Sequence, residues 1–174
     1  MKKTLLLTIT IVLFTSLCFS QTDRFWVSHK GTASDLTKDK GVARLSFPKE
    51  FKLCDLNTDL LRQELFAVVD NHNSKHSTLI TLPNVNGDYE VFEVYEASNF
   101  EPDLQAQFPE IRAFSGKGIT DKYATLKLSI SPQGIQTMIF RTDKENEFIE
   151  PYSEDHTVYA VFKSYREVGK LAWA

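Results

Sequence analysis

Apolar and polar residues alternate along several runs in the second half of the chain, and this periodicity predicts a sheet. From Leu126 to Ile130 every second residue is apolar, and Ile135–Phe140 continues after the tetrapeptide Ser131–Gly134. A period of two is typical of a half-buried strand, and a short segment with Pro and Gly between two such runs predicts a tight turn. The sequence therefore predicts antiparallel strands joined by hairpins.

Further strands are predicted on both sides of this pair. The dipeptide Asn86-Gly87 is a strong hairpin signal, because both residues tolerate positive φ, and it separates Ser77–Leu82 from Tyr89–Tyr95. Phe148-Ile149 and Thr157–Phe162 are rich in β-branched and aromatic residues and predict the last two strands. Together these runs predict an antiparallel meander.

One main helix is predicted before these strands. Its apolar residues recur at i, i+4, i+7 and i+8, the spacing of one helical face; they are Leu61, Leu65, Val68 and Val69. Asp55 or Asn57 is the predicted N-cap, and the helix is predicted to end near residues 71–73. A short second helix is predicted around Pro102, and Ser115–Gly118 is predicted to be a turn. The predicted fold class is α+β: an antiparallel β-sheet meander with one main helix packed on it, after a cleaved signal peptide.

The first twenty residues have the pattern of a secretory signal peptide. Lys2 and Lys3 precede the apolar run Leu5–Phe14, and polar residues follow from Gln21. The run is too short for a membrane-spanning helix. The predicted organisation is a signal peptide (1–20), a flexible N-terminal arm (21–41), one α+β domain (42–165) and a C-terminal tail (166–174). The chain is predicted to be secreted or periplasmic, with no membrane association after signal cleavage.

Charge and cysteine content narrow the function further. The chain has a net charge of −3, and cleavage of the signal would make it more negative because Lys2 and Lys3 leave. Nucleic-acid binding is not expected, since it needs clustered basic residues. Cys54 is the one cysteine after the signal, so no internal disulfide is expected in the exported part.

Catalytic motifs are missing from the sequence. His72 and His76 have a spacing that can bind zinc on a helix, but no glutamate follows His72, and the segment is polar and Asn-rich. Ser115–Gly118 lacks the spacing of a phosphate-binding loop, and no Gly-x-Ser-x-Gly occurs. We therefore predict that the chain is not an enzyme, with no catalytic residues, no metal site and no cofactor.

An ordered set of short segments resembles the N-terminal propeptide region of secreted, reprolysin-like zinc metallopeptidases of Bacteroidetes-type bacteria. The densest part is Leu104–Gly118, with the sequence LQAQFPEIRAFSGKG. The other segments, in order, are Phe51–Leu53, Leu60-Leu61 with Leu65, Ile80–Pro83, Asn86-Gly87, Phe92–Glu96, Ala124–Gly134 and Phe148–Tyr152. In such proteins a catalytic domain with His-Glu-x-x-His follows the propeptide, and this motif does not occur here.

The resemblance implies a prodomain-like module that helps a metallopeptidase catalytic domain to fold and inhibits it, with that domain as the partner. The candidate contact residues are Phe108, Pro109, Ile111, Phe114, Gly116 and Gly118. Cys54 is a candidate zinc-blocking thiol, since a thiolate can occupy the open position of a catalytic zinc; the alternative is a buried cysteine that only packs. The alternative function is a free-standing extracellular protein- or glycan-binding module that uses the aromatic residues Tyr89, Phe92 and Tyr95.

Overall fold

The computed structural model of the protein describes residues 24–36, 48–69 and 76–164, and most of these residues belong to one sheet. The strands are β1 (Trp26–Ser28), β2 (Lys52–Leu56), β3 (Thr78–Pro83), β4 (Tyr89–Glu96), β5 (Arg112–Gly118), β6 (Thr125–Ser131), β7 (Gly134–Phe140), β8 (Glu147–Pro151) and β9 (Val158–Lys163). The helices are a 3-10 turn (Ala33–Asp35), α1 (Thr58–Phe66) and α2 (Pro102–Gln107).

The nine strands form a single antiparallel sheet that curls into a nearly closed, barrel-like shape. Their order is β1-β2-β9-β8-β7-β6-β5-β4-β3. The predicted α+β class with a main helix packed on the sheet is therefore wrong: in the described part of the chain about 15% is helical, and α1 alone exceeds six residues. The apolar faces of the strands bury one another across the barrel, so a covering helix layer is not needed.

The strand faces predicted from the alternation are confirmed. Phe92 and Val94 of β4 point into the barrel, whereas Tyr95 points outward. In β6 the inward residues are Leu126, Leu128 and Ile130. Fully buried aromatic rings such as Phe114 and Tyr159 fill the interior together with aliphatic side chains. The barrel is thus a packed core of the kind that small barrels have.

Side chains close the seam between the two edge strands, β1 and β3. The indole Nε1 of Trp26 donates a hydrogen bond to the carbonyl oxygen of Thr81 at 2.9 Å. The hydroxyl of Tyr89 donates to the carbonyl oxygen of Trp26 at 3.2 Å, and Lys52 Nζ donates to the carbonyl of Asn86. The Trp26 ring is buried and packs edge-on against Tyr159, with ring centres 5.5 Å apart. These contacts join the two edges without a backbone ladder.

Helix α1 covers the end of the barrel where β2 ends. Asn57 is the N-cap, as predicted, and its side chain accepts a hydrogen bond from Leu60 N at 3.1 Å. Leu61 and Leu65 are buried against the strands, and Val68 adds to the same core from the turn that follows. The helix ends at Phe66, earlier than predicted, and residues 70–75 lie outside the described part.

Four charged side chains, which we call the charged plug, lie at the opposite end of the barrel. Arg141 Nη1 contacts Glu90 at 2.7 Å and Asp121 at 3.0 Å, and its Nη2 lies 3.3 Å from Glu147. The Arg141 side chain has no exposed surface, and that of Glu147 is 3% exposed. Glu147 therefore points inward from the first residue of β8, although a glutamate beside a polar turn is usually solvated.

The segment Ser115–Gly118, predicted as a turn, lies inside strand β5, so that prediction is wrong. A Cβ added at Gly116 would come within 2.8 Å of Val94 Cγ1, and one at Gly118 within 2.0 Å of the carbonyl oxygen of Asp121. The glycines therefore permit a close approach of neighbouring chain segments rather than a chain reversal.

Part of the segment predicted as a flexible arm is integrated into the barrel. Strand β1 pairs with β2, and Ala33 and Leu36 pack on a second, outer cluster that contains Tyr152 and Phe162. This cluster covers the outer faces of β2, β8 and β9. The predicted signal peptide and the tail from 166 lie outside the described residues, so these predictions are not tested.

Candidate protein-contact surface

The connection between β4 and β5 presents three large apolar side chains to solvent. Phe100, Leu104 and Phe108 are 41%, 41% and 42% exposed, and we call these three residues the apolar ridge. They lie four residues apart, and Leu104 lies within α2, which buries none of its residues. Three exposed large apolar residues within one nine-residue stretch make this connection a candidate interaction surface.

The local sequence explains why this segment forms a short helix. Pro102 occupies the first helical position, and Asp103 in the first turn interacts favourably with the helix dipole, as predicted. The backbone N–H of Phe108 donates to the carbonyl of Leu104 at 3.1 Å and closes the last turn. Pro109 then prevents the helix from continuing.

Two polar side chains, half-buried Gln105 and buried Arg112, hold the segment in place. Gln105 Nε2 donates hydrogen bonds to the carbonyl oxygens of Phe108 and Ile111, both at 3.0 Å. Arg112 Nε donates to the carbonyl of Pro109 at 3.1 Å, and its Nη1 pairs with Glu96 at 2.9 Å. These bonds join a side chain of α2 and a side chain of β5 to the backbone of residues 108–111. The ridge is therefore held in a fixed position on the barrel before a partner binds.

The segment that carries the ridge contains acidic residues and no basic ones. Residues 97–111 contain Glu101, Asp103 and Glu110 and no lysine or arginine. Within the described part of the chain, none of these three carboxylates takes part in an ion pair. The surface thus combines apolar area with net negative charge.

The predicted contact residues do not form one surface. Phe108 and Pro109 are exposed and Ile111 is half-buried, so these three lie at the ridge. Phe114, Gly116 and Gly118 point into the barrel from β5 and are buried. The sequence prediction missed Phe100 and Leu104, although the spacing of four from Phe100 to Leu104 and from Leu104 to Phe108 is the signal that would have identified them.

Cys54 lies in the barrel interior. It is 5% exposed, and burial, reinforced by the charge of Asp55, raises the pKa of its thiol to about 11. At neutral pH the group is therefore a protonated thiol. To block a zinc ion it would have to leave the core and lose its proton; that role stays a prediction.

An open cleft of about 740 Å³ lies beside the N-terminus of α1. Its walls carry charges of both signs, including Asp59, Arg62 and Asp155. The pKa of Asp155 is lowered, first by the hydroxyl of Ser153, which donates to it at 2.5 Å. His156 in the same wall has a φ of 56°, an unusual backbone conformation.

The aromatic residues proposed for the alternative binding module are separated by the fold. Tyr95 is exposed, Phe92 lies in the core, and Tyr89 uses its hydroxyl to close the seam. In the described ranges, no three His, Cys, Asp or Glu side chains are grouped so that they could hold a metal ion. The same ranges contain no helix with the length and apolarity needed to span a membrane.

Comparisons of the chain with protein-family models, with curated proteins and with solved structures find no match. The resemblance to metallopeptidase propeptides therefore stays a prediction, carried by the sequence segments quoted above.

Proposed function

We propose that the exported chain is a non-catalytic, prodomain-like module that binds a zinc metallopeptidase catalytic domain and inhibits it by covering its surface. The observation that carries the proposal is the apolar ridge, where three large side chains remain about 40% exposed on a braced segment. A partner that covers this ridge removes apolar area from water, which is the main driving force of association.

The outer surface is the part of the molecule that this proposal uses. The barrel interior is packed with side chains, helix α1 lies over one end, and the charged plug fills the other. A module built in this way offers a partner its outer face and its loops. The chain contains no His-Glu-x-x-His motif, and the proposal assigns it no chemical step.

The class of the partner comes from the sequence resemblance. Leu104 and Phe108 of the ridge belong to the segment 104–118, which carries the densest part of that resemblance. The apolar ridge and the segment that resembles metallopeptidase propeptides therefore overlap at residues 104–108. This coincidence favours a metallopeptidase domain over an unrelated partner.

The test is inhibition of a separately purified catalytic domain from a reprolysin-like metallopeptidase by residues 21–174. We expect inhibition of peptide hydrolysis and a stable complex at micromolar concentration. Phe108→Ser should weaken inhibition at least about fivefold, since truncation of a central apolar anchor costs more than about 1 kcal/mol. Ile119→Ser is the matched control, because Ile119 is also an exposed apolar residue but lies outside the ridge. The proposal is refuted if residues 21–174 show no inhibition and form no complex with the catalytic domain at micromolar concentration.

A further inference from the structure

We propose that the apolar ridge and its acidic flanks form a docking element for one kind of partner site: an apolar groove bordered by lysine and arginine side chains. That the partner is a metallopeptidase catalytic domain rests on the proposed function. The inference goes further in assigning the partner's groove an apolar floor and a basic border. The ridge, with Leu104 in α2 and Phe100 and Phe108 on either side of the helix, would enter the groove in the way that short apolar helical segments are recognised.

The core does not account for the formation of α2. Helices of this length are unstable alone, and this one buries no residue against the barrel. It is held instead by hydrogen bonds from Gln105 and Arg112. The fold therefore maintains a helical turn whose apolar residues contribute little to its own core and are left available for a partner.

The brace beneath the ridge is built from buried polar groups. The Arg112 side chain is 9% exposed and its partner Glu96 is 20% exposed. Burial of such groups is unfavourable unless they are hydrogen-bonded. Here the hydrogen bonds also fix the ridge, which lowers the conformational entropy lost when a partner binds.

The acidic residues near the ridge predict the sign of the charge at the border of the partner's groove. Glu101, Asp103 and Glu110 put three negative charges on fifteen residues that contain no basic residue. A partner surface with lysine and arginine around its groove would be attracted, and an acidic surface would be repelled. The attraction between such exposed charges should weaken as the ionic strength rises.

The chemistry can be tested without the metallopeptidase. The probes are two fluorescent amphipathic helical peptides of about 14 residues, roughly four helical turns. One has leucine on its apolar face and lysine elsewhere, and the other has glutamate in place of lysine. Fluorescence anisotropy is measured with residues 21–174 at about 50 mM and about 300 mM salt.

We expect the lysine peptide to bind and the glutamate peptide to bind at least about tenfold more weakly. Phe100→Ser with Phe108→Ser should weaken binding of the lysine peptide at least about tenfold. The triple change Glu101→Gln, Asp103→Asn and Glu110→Gln should weaken it at low salt only. The charge-matched control changes three exposed acids elsewhere: Asp143→Asn, Glu145→Gln and Glu154→Gln.

Either of two results would overturn the inference: no loss of binding in the Phe100 and Phe108 variant, or an equal loss in the charge-matched control. Circular dichroism of each variant verifies that the fold is retained. The same variants in the inhibition assay separate the two proposals. Peptide binding at the ridge without enzyme inhibition refutes the proposed function alone, whereas enzyme inhibition that depends on Phe108 without binding of the lysine peptide refutes the docking element alone.

Discussion

Replacement of Arg141 by methionine removes the cation from the charged plug and keeps an apolar stem of similar length. The guanidinium lies 2.7 Å from Glu90 and 3.3 Å from Glu147, whose side chains are 10% and 3% exposed. After the change, these carboxylates stay buried without a counter-charge. Removal of one partner of a buried ion pair typically costs about 3–5 kcal/mol, and we expect the free energy of unfolding at neutral pH to fall by that amount.

Two further variants separate the charge effect from loss of packing. Arg141→Met combined with Glu90→Gln and Glu147→Gln removes the unbalanced charge and should return the stability to within about 2 kcal/mol of the wild type. The control is Lys163→Met. Its partner Glu145 is 3.8 Å away, both side chains are more than half exposed, and such pairs contribute about 0–1 kcal/mol.

The assay is urea denaturation of residues 21–174, monitored by far-ultraviolet circular dichroism. The free energy of unfolding is obtained by linear extrapolation to zero urea, and the slope of that line should be the same for all variants. A loss below about 1 kcal/mol for Arg141→Met would refute the reasoning, since that size is typical of an exposed pair. A triple variant no more stable than the single variant would refute it as well.

Three other changes test different parts of the barrel. Trp26→Phe removes the hydrogen-bond donor to the Thr81 carbonyl, and we expect thermal denaturation to show that the free energy of unfolding falls by about 1–3 kcal/mol. An unchanged melting temperature would mean that this hydrogen bond does not stabilise the seam. Gly118→Ala brings a methyl group against the Asp121 carbonyl and should cost about 1–3 kcal/mol in urea denaturation, whereas wild-type stability would show that the backbone there yields freely. Because the folded-state pKa of Asp155 lies below its ordinary value of 3.8, its contribution is present above that value and is lost as the pH falls through the lowered pKa. Ser153→Ala should therefore flatten the decline in stability between about pH 5 and about pH 2, and a decline as steep as that of the wild type would contradict the assigned cause.

The ridge was only partly predictable. The helix-start signals at Pro102 and Asp103 and the stop at Pro109 are local, and the structure confirms them. The bracing by Gln105 and Arg112 is not visible in the sequence, because it depends on where the chain re-enters the sheet at β5. The same re-entry turns Phe114 and Gly116 inward, which removes them from the contact surface to which they were assigned.

The fold was predictable at the level of single strands. The alternation in β4 and β6 determined which side chains are buried, since a period of two assigns each residue to one face of a sheet. It carried no information about how far the sheet curls, because the curvature depends on the strand twist and register accumulated over all nine strands. For that reason an antiparallel meander with one main helix packed on it was predicted instead of a barrel.

The sequence by itself determined the faces of β4 and β6, a helix start at Asp55 or Asn57 and the hairpin at Ser131–Gly134, because each depends on neighbours within a few residues. Only the tertiary structure decided that Trp26 closes the seam, that Glu147 is buried beside Arg141, and that Gly116 lies in a strand. In each of these three cases the environment is supplied by other strands or loops of the fold, and the residue type by itself is compatible with more than one environment.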